Sequence, residues 1–411
     1  MLAYLEKKRK PWYIWYIMST SQPVFSDNLW ERGLERIYPS TGELDEFLQS
    51  GGQLKVFLGL DPTGPHIHIG HGSILLKLRD LQVAGHQITI LIGDFTAMIG
   101  DPTDKTSARR KLSAEEVKAN YQSYQSQIAK ILDLSQIKFV FNKEWLGRLN
   151  FEEVVEIASE FTVSQMIERD MFQERLKRDE PIYLHEFLYP LMQGYDSVQM
   201  DINAEIGGSD QTFNMLTGRT MMKRRGQEKF VLTTKLLVDP TGKKMGKSEG
   251  NMVTLSDEPA LMYGKIMSWP DTLMPLAFEI CTRVPAAEVE TILSEHPRDA
   301  KMRLAREIVS IFAGDDQVEA AEADFIAKFQ TSEVPERVEV FYFTAGDMLR
   351  DVLIKAGLVE SKAEYKRLVD GGGITVLPDS KVSTLTAVAS SDQVIRVGKK
   401  KFIKLAVKRD E

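Results

Sequence analysis

The chain has very little cysteine: Cys281 is the only one in 411 residues. A single thiol excludes a disulfide framework and a cysteine-based metal centre, and it suits a reducing, cytoplasmic setting. Histidine is also scarce, at six, so any two standing close together carry weight. No apolar run is long enough to span a bilayer, so no membrane partner is expected. Nor is there a large excess of one charge. The 52 Lys and Arg against 59 Asp and Glu leave a net −7, which argues against a simple nucleic-acid binder. The charge is uneven, however. Residues 346–411 carry 13 basic against 9 acidic side chains, a net +4, which leaves −11 on the rest. That asymmetry points to a small basic module on an acidic body. The length and an ordinary globular composition, 43% hydrophobic and 27% charged, allow two or three domains.

One stretch organises the remainder: Leu58-Gly59-Leu60-Asp61-Pro62-Thr63-Gly64-Pro65-His66-Ile67-His68-Ile69-Gly70-His71. Val56 to Leu60 reads as a buried strand. Asp-Pro-Thr-Gly-Pro is a turn cluster. Ile74, Leu75, Leu78 and Leu81 then share one helical face. His68 and His71 thus fall in the first turn of a helix, where unpaired N–H groups and the positive dipole end favour an anion. Gly70 admits a flat ligand close to the backbone. The stretch reads as a cradle for a polyphosphate. Taken alone, His-x-x-His reads as readily as a metal pair or as two surface histidines. Zinc is disfavoured, because no further ligand set stands nearby. A second stretch, Gly242-Lys243-Lys244-Met245-Gly246-Lys247-Ser248-Glu249-Gly250-Asn251, follows a strand-like run, Phe230 to Val238. It is a glycine-bounded basic loop whose lysines suit a polyphosphate that changes shape during reaction. A solvated lysine turn is the bland alternative.

In chain order, residues 1–17 combine Lys7-Lys8-Arg9-Lys10 with Pro11 to Ile17. They lack the core and cleavage site of a secretory signal. A disordered extension is expected, and Met18 offers an alternative start of translation. Trp30 to Gly51 reads as helical. Gln87 to Asp94 and Ile137 to Phe141 read as further strands. Ser113-Ala114-Glu115-Glu116 is a capping box opening a polar helix to about Asp133. Strand, helix, strand at this spacing argues a parallel α/β sheet with ligands at the carboxyl ends of its strands. Residues 151–180 are helical and charged. Leu184 to Tyr195 reads as a helix that sets Tyr189, Gln193 and Asp196 near one face, although a core helix with a polar edge fits as well. Asp201 to Ile206 is a strand ending in Gly207-Gly208-Ser209-Asp210-Gln211, where Asp210 suits ribose hydroxyls or a plain N-cap. From Glu258 to about Lys328 the pattern is helical. In the tail, Met348 to Ala356 and Ser361 to Val369 read as helices, and Ile374 to Leu377 and Val394 to Val397 as strands. Lys399 to Lys404 could be a solvated basic tail, but the alternation of helix and strand favours a folded module.

These motifs stand in the order found in bacterial tyrosyl-tRNA synthetases, which the chain resembles from about Trp30 to its end. His68-Ile69-Gly70-His71 matches the HIGH signature of class I aminoacyl-tRNA synthetases. Lys244-Met245-Gly246-Lys247-Ser248 matches the KMSKS signature, with glycine replacing the first serine. Gly100-Asp101-Pro102, Tyr189-x-x-x-Gln193-x-x-Asp196 and Gly207 to Gln211 complete the set. The resemblance implies a Rossmann-like parallel-sheet α/β catalytic domain over 30–257, after an extension over 1–29. It further implies an α-helical anticodon-side domain over 258–328, a linker over 329–345, and a small α+β RNA-binding domain of the ribosomal-protein-S-four type over 346–411. ATP and tyrosine would give tyrosyl-adenylate and pyrophosphate, and the tyrosyl group would pass to the terminal adenosine of tRNA(Tyr). By carry-over, Thr63, His68 and His71 hold phosphates, and Lys244, Lys247, Lys105 and Arg109 embrace the pyrophosphate. Asp61, Gly70, Gly208, Asp210 and Met245 take ATP. Asp61, Asp101, Tyr189, Gln193 and Gln211 receive the tyrosine ammonium and backbone, and Asp196 its phenol hydroxyl. Mg²⁺ is expected with ATP, no tightly bound cofactor or resident metal is expected, and a homodimer is implied.

One position departs from the family pattern. Where a tyrosine stands four residues before the aspartate of the first signature, this chain has Phe57, which puts the details of tyrosine selectivity in question. The nearest rival reading is a tryptophanyl-tRNA synthetase. Another is a synthetase-like RNA-binding protein without catalysis. A general nucleotidyl transferase would not need the basic tail.

Overall fold

The computed structural model describes residues 29–101, 112–238, 252–329, 338–377, 380–382, 384, 389, 393–398 and 401–408. Six short runs form one sheet: β1 (Leu34–Tyr38), β2 (Lys55–Leu60), β3 (Gln87–Ile92), β4 (Ile137–Phe141), β5 (Ala204–Gly208) and β6 (Phe230–Thr234). Their order is β1-β6-β5-β2-β3-β4. β2 to β6 run parallel, and β1 lies antiparallel on β6. β5 and β6 are buried along their whole length, as strands covered on both faces must be. From β2 the chain winds through β3 to β4 on one side. It later returns through β5 and β6 on the other, so the strand order reverses between β2 and β5.

Three helices matter for the site: α1 (Ile69–Val83), α2 (Leu184–Gln199) and α3 (Thr212–Arg224). α2 and α3 cross at glycines, since a Cβ on Gly194 would lie 3.3 Å from the Gly218 Cα. The helical region after residue 258 packs on the same core, with Trp269, Phe278 and Phe312 essentially inaccessible. Among the described residues no helix is long and apolar enough to cross a membrane.

The chain divides into two compact units after Phe325. The second unit has its own core, which includes Leu353, Tyr365, Ile395 and Leu405. Its sheet contains β7 (Val340–Phe343), β8 (Ile374–Val376), β9 (Ser380–Lys381), β10 (Val394–Val397) and β11 (Lys401–Val407), in the order β7-β11-β10-β8-β9.

Several expectations need correcting. Trp30 to Gly51 is not helical throughout, because β1 precedes a helix over Thr41–Gln49. A bulge between Leu34 and Arg36 explains the misreading. It puts Leu34 and Ile37, three apart, both into the core, and so imitates a helical spacing. The capping box at Ser113 is present, but its helix stops at Tyr121 and a further turn covers Tyr124–Ile128. Residues 340–343, expected in the linker, pair as β7 with β11. Of the two readings of the tail, the folded module is the one observed: the lysines at 401 and 404 belong to β11, with Ile403 and Leu405 buried between and beside them.

Candidate active site

The strand order reverses between β2 and β5, and open α/β sheets bind ligands outside the carboxyl ends of their strands at such a point. Asp61 follows β2, and Ser209 to Gln211 follow β5. The turn after Asp61 is braced by side chains from 120–127. Asn120 donates to the Pro62 carbonyl at 2.9 Å and the Tyr124 hydroxyl to the Gly64 carbonyl at 2.9 Å. Gln127 accepts from the Ile67 N–H at 2.8 Å and donates to the Pro65 carbonyl at 2.9 Å. Turn carbonyls and amides that would otherwise need water are thereby satisfied.

His68 is the N-cap of α1. Its Nδ1 accepts from the His71 N–H at 3.3 Å, and the two rings stack with centroids 4.1 Å apart. Both histidines therefore sit over the helix start, where the dipole favours an anion. The Lys244-Met245-Gly246-Lys247-Ser248 loop lies outside the described residues, as do Lys105 and Arg109. The chain that leaves that loop is tied to the first signature, however. The Ile69 N–H donates to the Val253 carbonyl at 2.9 Å and the Leu255 N–H to the Ile67 carbonyl at 2.8 Å. His68 and Thr254 form a bridge.

One connected network links most of the remaining candidates. Asp61 accepts from the Thr96 hydroxyl at 2.7 Å and from the Tyr189 hydroxyl at 2.8 Å. The Asn142 amide donates to Thr96 Oγ1 at 3.1 Å and to Asp196 Oδ2 at 3.2 Å. The Trp145 indole donates to Asp196 Oδ1 at 2.7 Å. Asn142 cannot flip, since its Oδ1 accepts from the Phe95 N–H at 3.0 Å. Gly93 makes room for the network: a Cβ there would fall 1.9 Å from Asp61 Oδ1. A second group holds Asp101, which accepts from Gln211 at 2.8 Å and from the buried Arg169 at 3.3 Å. Gln193 donates to Glu205 at 2.9 Å.

Burial sets the electrostatics. It pushes the Asp196 carboxyl well above the usual carboxylate range, against the opposing effect of the Trp145 and Asn142 hydrogen bonds. It also pushes the Tyr189 hydroxyl well up, helped by Asp61 and Asp101. Tyr189 is therefore a neutral donor to Asp61 at neutral pH.

The structure thus brings Asp61, Tyr189 and Asp196 into one network, with Asp101 and Gln211 paired and His68 and His71 stacked. Asp210 packs against Gly208, where a Cβ would meet its Oδ1 at 2.6 Å. The Thr63 N–H donates to the Asp61 carbonyl at 2.8 Å within the turn, and Gly70 lies in the first turn of α1. Thr96, Asn142, Trp145, Arg169 and Glu205 were not singled out from sequence. Only Asn142, an Asx residue directly after an apolar strand, carried any local signal.

Class I tRNA synthetases (W and Y) match residues 49–330 of the chain. The chain belongs to this family. Similarity to individual members extends over nearly its full length. The tyrosine--tRNA ligase of Moorella thermoacetica is 43% identical over 387 residues, covering 91% of this chain and 94% of that one. Tyrosine--tRNA ligase 2 of Vibrio parahaemolyticus is 42% identical over 385 residues, covering 92% and 97%. Among solved structures, a C-terminally truncated mitochondrial tyrosyl-tRNA synthetase of Coccidioides posadasii superposes with a TM-score of 0.60. It is 24% identical and covers 79% of this chain and 97% of that one, which speaks to the fold alone. In this synthetase the stacked histidines lie beside the strand-like segment 253–255.

Proposed function

We propose that this synthetase is a tyrosine--tRNA ligase. The observation that carries the reading is Asp196: fully buried, with one oxygen held by Trp145 and the other by Asn142. These partners are neutral donors, and each carboxylate oxygen keeps a lone pair to accept a phenol hydroxyl. Through Asn142 and Thr96 the same network reaches Asp61, which with Asp101, Tyr189 and Gln193 takes the tyrosine ammonium. The two recognition ends are thus joined by one chain of hydrogen bonds, so they keep a fixed relation.

In the first step a carboxylate oxygen of tyrosine attacks the α-phosphorus of ATP and pyrophosphate leaves. In the second, a ribose hydroxyl of the terminal adenosine of tRNA attacks the tyrosyl carbonyl carbon and AMP leaves. Neither step needs a strong general base. Catalysis here is positioning plus stabilisation of charge on the phosphorus centre. Thr63, His68 and His71 hold phosphates, Gly70, Gly208, Asp210 and Met245 receive the adenosine side, and Gln211 steadies Asp101. Lys244, Lys247, Lys105 and Arg109 meet the pyrophosphate charge. The pairing of residues 253–255 with Ile67 to Ile69 supports this, because it anchors the exit of the lysine loop beside His68. Mg²⁺ arrives with the ATP phosphates. Among the described residues no group of three or more His, Cys, Asp or Glu side chains is arranged for a resident ion.

The C-terminal unit, with its basic excess, serves tRNA(Tyr). Two copies of the chain associate through an apolar face. Phe151 and Leu184 are each 83% exposed, with Val155 and Leu188 also open. Leu188 also lines an apolar cavity of about 210 Å³, with Leu146, Ile157 and Leu191. Such a patch on a soluble chain marks an interaction surface. The reaction is tested by charging tRNA with radiolabelled tyrosine in the presence of Mg²⁺ and ATP. Tyrosyl-tRNA is expected; charging with tryptophan alone would overturn the reading.

A further inference from the structure

Lys229, just before β6, is completely buried. A buried ammonium persists only when paired and fully hydrogen-bonded. This one donates to a Glu205 carboxylate oxygen, to Ser197 Oγ at 2.7 Å and to the Met215 carbonyl at 3.1 Å. All three of its protons are used. The Phe57 ring lies on another side, 5.6 Å from Nζ. Space for the ammonium depends on Gly218, where a Cβ would come within 2.6 Å of it. Burial draws the Lys229 pKa down, and Glu205 acts against that shift. The arrangement ties β5 to α2 and α3, but a purely structural tie would not account for its last member. The second Glu205 oxygen, Oε1, accepts from Gln193 Nε2 at 2.9 Å.

We infer that the Lys229–Glu205 pair is a positioning device for the Gln193 amide. An amide has a donor end and an acceptor end that sterics alone barely distinguish. An ionised carboxylate accepts only, so it selects the NH₂ end of Gln193. The carbonyl end then remains for a cationic ligand, the ammonium of the amino acid. Lys229 holds one oxygen of the Glu205 carboxylate and so leaves the other turned toward Gln193. The inference rests on the reading of Gln193 as a contact for the tyrosine ammonium.

The test uses steady-state pyrophosphate exchange on the full-length enzyme. Gln193→Ala tests the underlying reading: the KM for tyrosine rises about tenfold and that for ATP stays. An unchanged tyrosine KM would remove that reading and the inference with it. In the double variant Glu205→Met/Lys229→Met the buried pair gives way to apolar groups of similar size, a change such sites commonly tolerate. The tyrosine KM is expected to rise about tenfold, with kcat and the ATP KM within twofold. Glu205→Gln/Lys229→Met, which restores a neutral acceptor, should fall between this variant and the wild type. It also decides the matter by the same criteria if the Met pair is insoluble. Inhibition by 3-(4-hydroxyphenyl)propanoate, which lacks the ammonium, should be unchanged in every variant. A tyrosine KM within twofold of wild type overturns the inference. So does an equal loss of affinity for the amine-free analogue, or an equal change in the ATP KM, since each marks a general packing role.

Discussion

The Trp145 indole N–H donates to Asp196 Oδ1 at 2.7 Å, and through it β4 and the turn that follows fix a carboxylate carried by α2. The contact fixes the orientation of a carboxyl group that is wholly buried. Trp145→Phe keeps the aromatic volume and removes the donor. A hydrogen bond of this kind contributes about 0.5–1.5 kcal/mol. The preference for tyrosine over phenylalanine in exchange kinetics should therefore fall by up to roughly tenfold. An unchanged preference would mean that Trp145 only fills space.

Asp196→Ala should relax the same preference more than Phe57→Tyr alters it. The alanine variant removes the acceptor and leaves the Trp145 and Asn142 donors unpaired. Phe57 is fully buried against Leu91, Ile202 and Met222. A hydroxyl added there makes at most one neutral hydrogen bond, worth about 1 kcal/mol, less than a tenfold change. A folded Asp196→Ala enzyme that still rejects phenylalanine would show that another group reads the hydroxyl.

Lys77 on α1 is almost wholly buried and donates to the Leu29 carbonyl at 3.0 Å. Burial brings its pKa down to about 8, against the pull of Asp80. Between about pH 8 and 10.5 the unfolded chain holds a proton that the folded chain has lost, so this group makes stability rise with pH across that window. Below about pH 8 the folded state bears the full cost of the buried charge. Lys77→Met should therefore be most favourable relative to wild type near pH 7. That advantage should shrink toward pH 10.5 by on the order of 1–3 kcal/mol. Urea unfolding of both proteins at the two pH values measures this, and a pH-independent difference would contradict it.

Because β7 pairs with β11, the place of truncation matters. A chain ending at residue 329 should retain tyrosine-dependent exchange and lose most tRNA charging. Its complement, the full chain, should bind tRNA with a marked salt dependence, as phosphate contacts require. A cut after residue 345 strands β7 without its partner and should give a less soluble protein with the same exchange activity. Equal loss of exchange in both folded truncations would show that the C-terminal unit serves activation as well.

Much of the site was legible because it lies in contiguous signatures. His68 and His71 at a helix start, Asp61 after a strand, and Tyr189, Gln193 and Asp196 on one helix follow from local spacing. β1 was missed because its bulge gives a strand a three-residue apolar spacing. The break in the helix after Ser113 was missed because Tyr124 and Gln127 turn inward to hold the distant Pro62–Ile67 turn. Trp145, Glu205 and Lys229 were invisible for a related reason. Each is a single residue whose partners lie on other elements, and only the folded sheet brings them together. The buried Glu205 and Lys229 look in sequence like ordinary strand-edge charges.

The central claim is that this site activates tyrosine, and amino-acid-dependent ATP–pyrophosphate exchange tests it most directly. Exchange is measured with tyrosine, tryptophan and phenylalanine in turn on the full-length enzyme. Rapid exchange is expected with tyrosine, far weaker exchange with phenylalanine, and none above background with tryptophan. Exchange driven by tryptophan, or no exchange with any of the three, would contradict it.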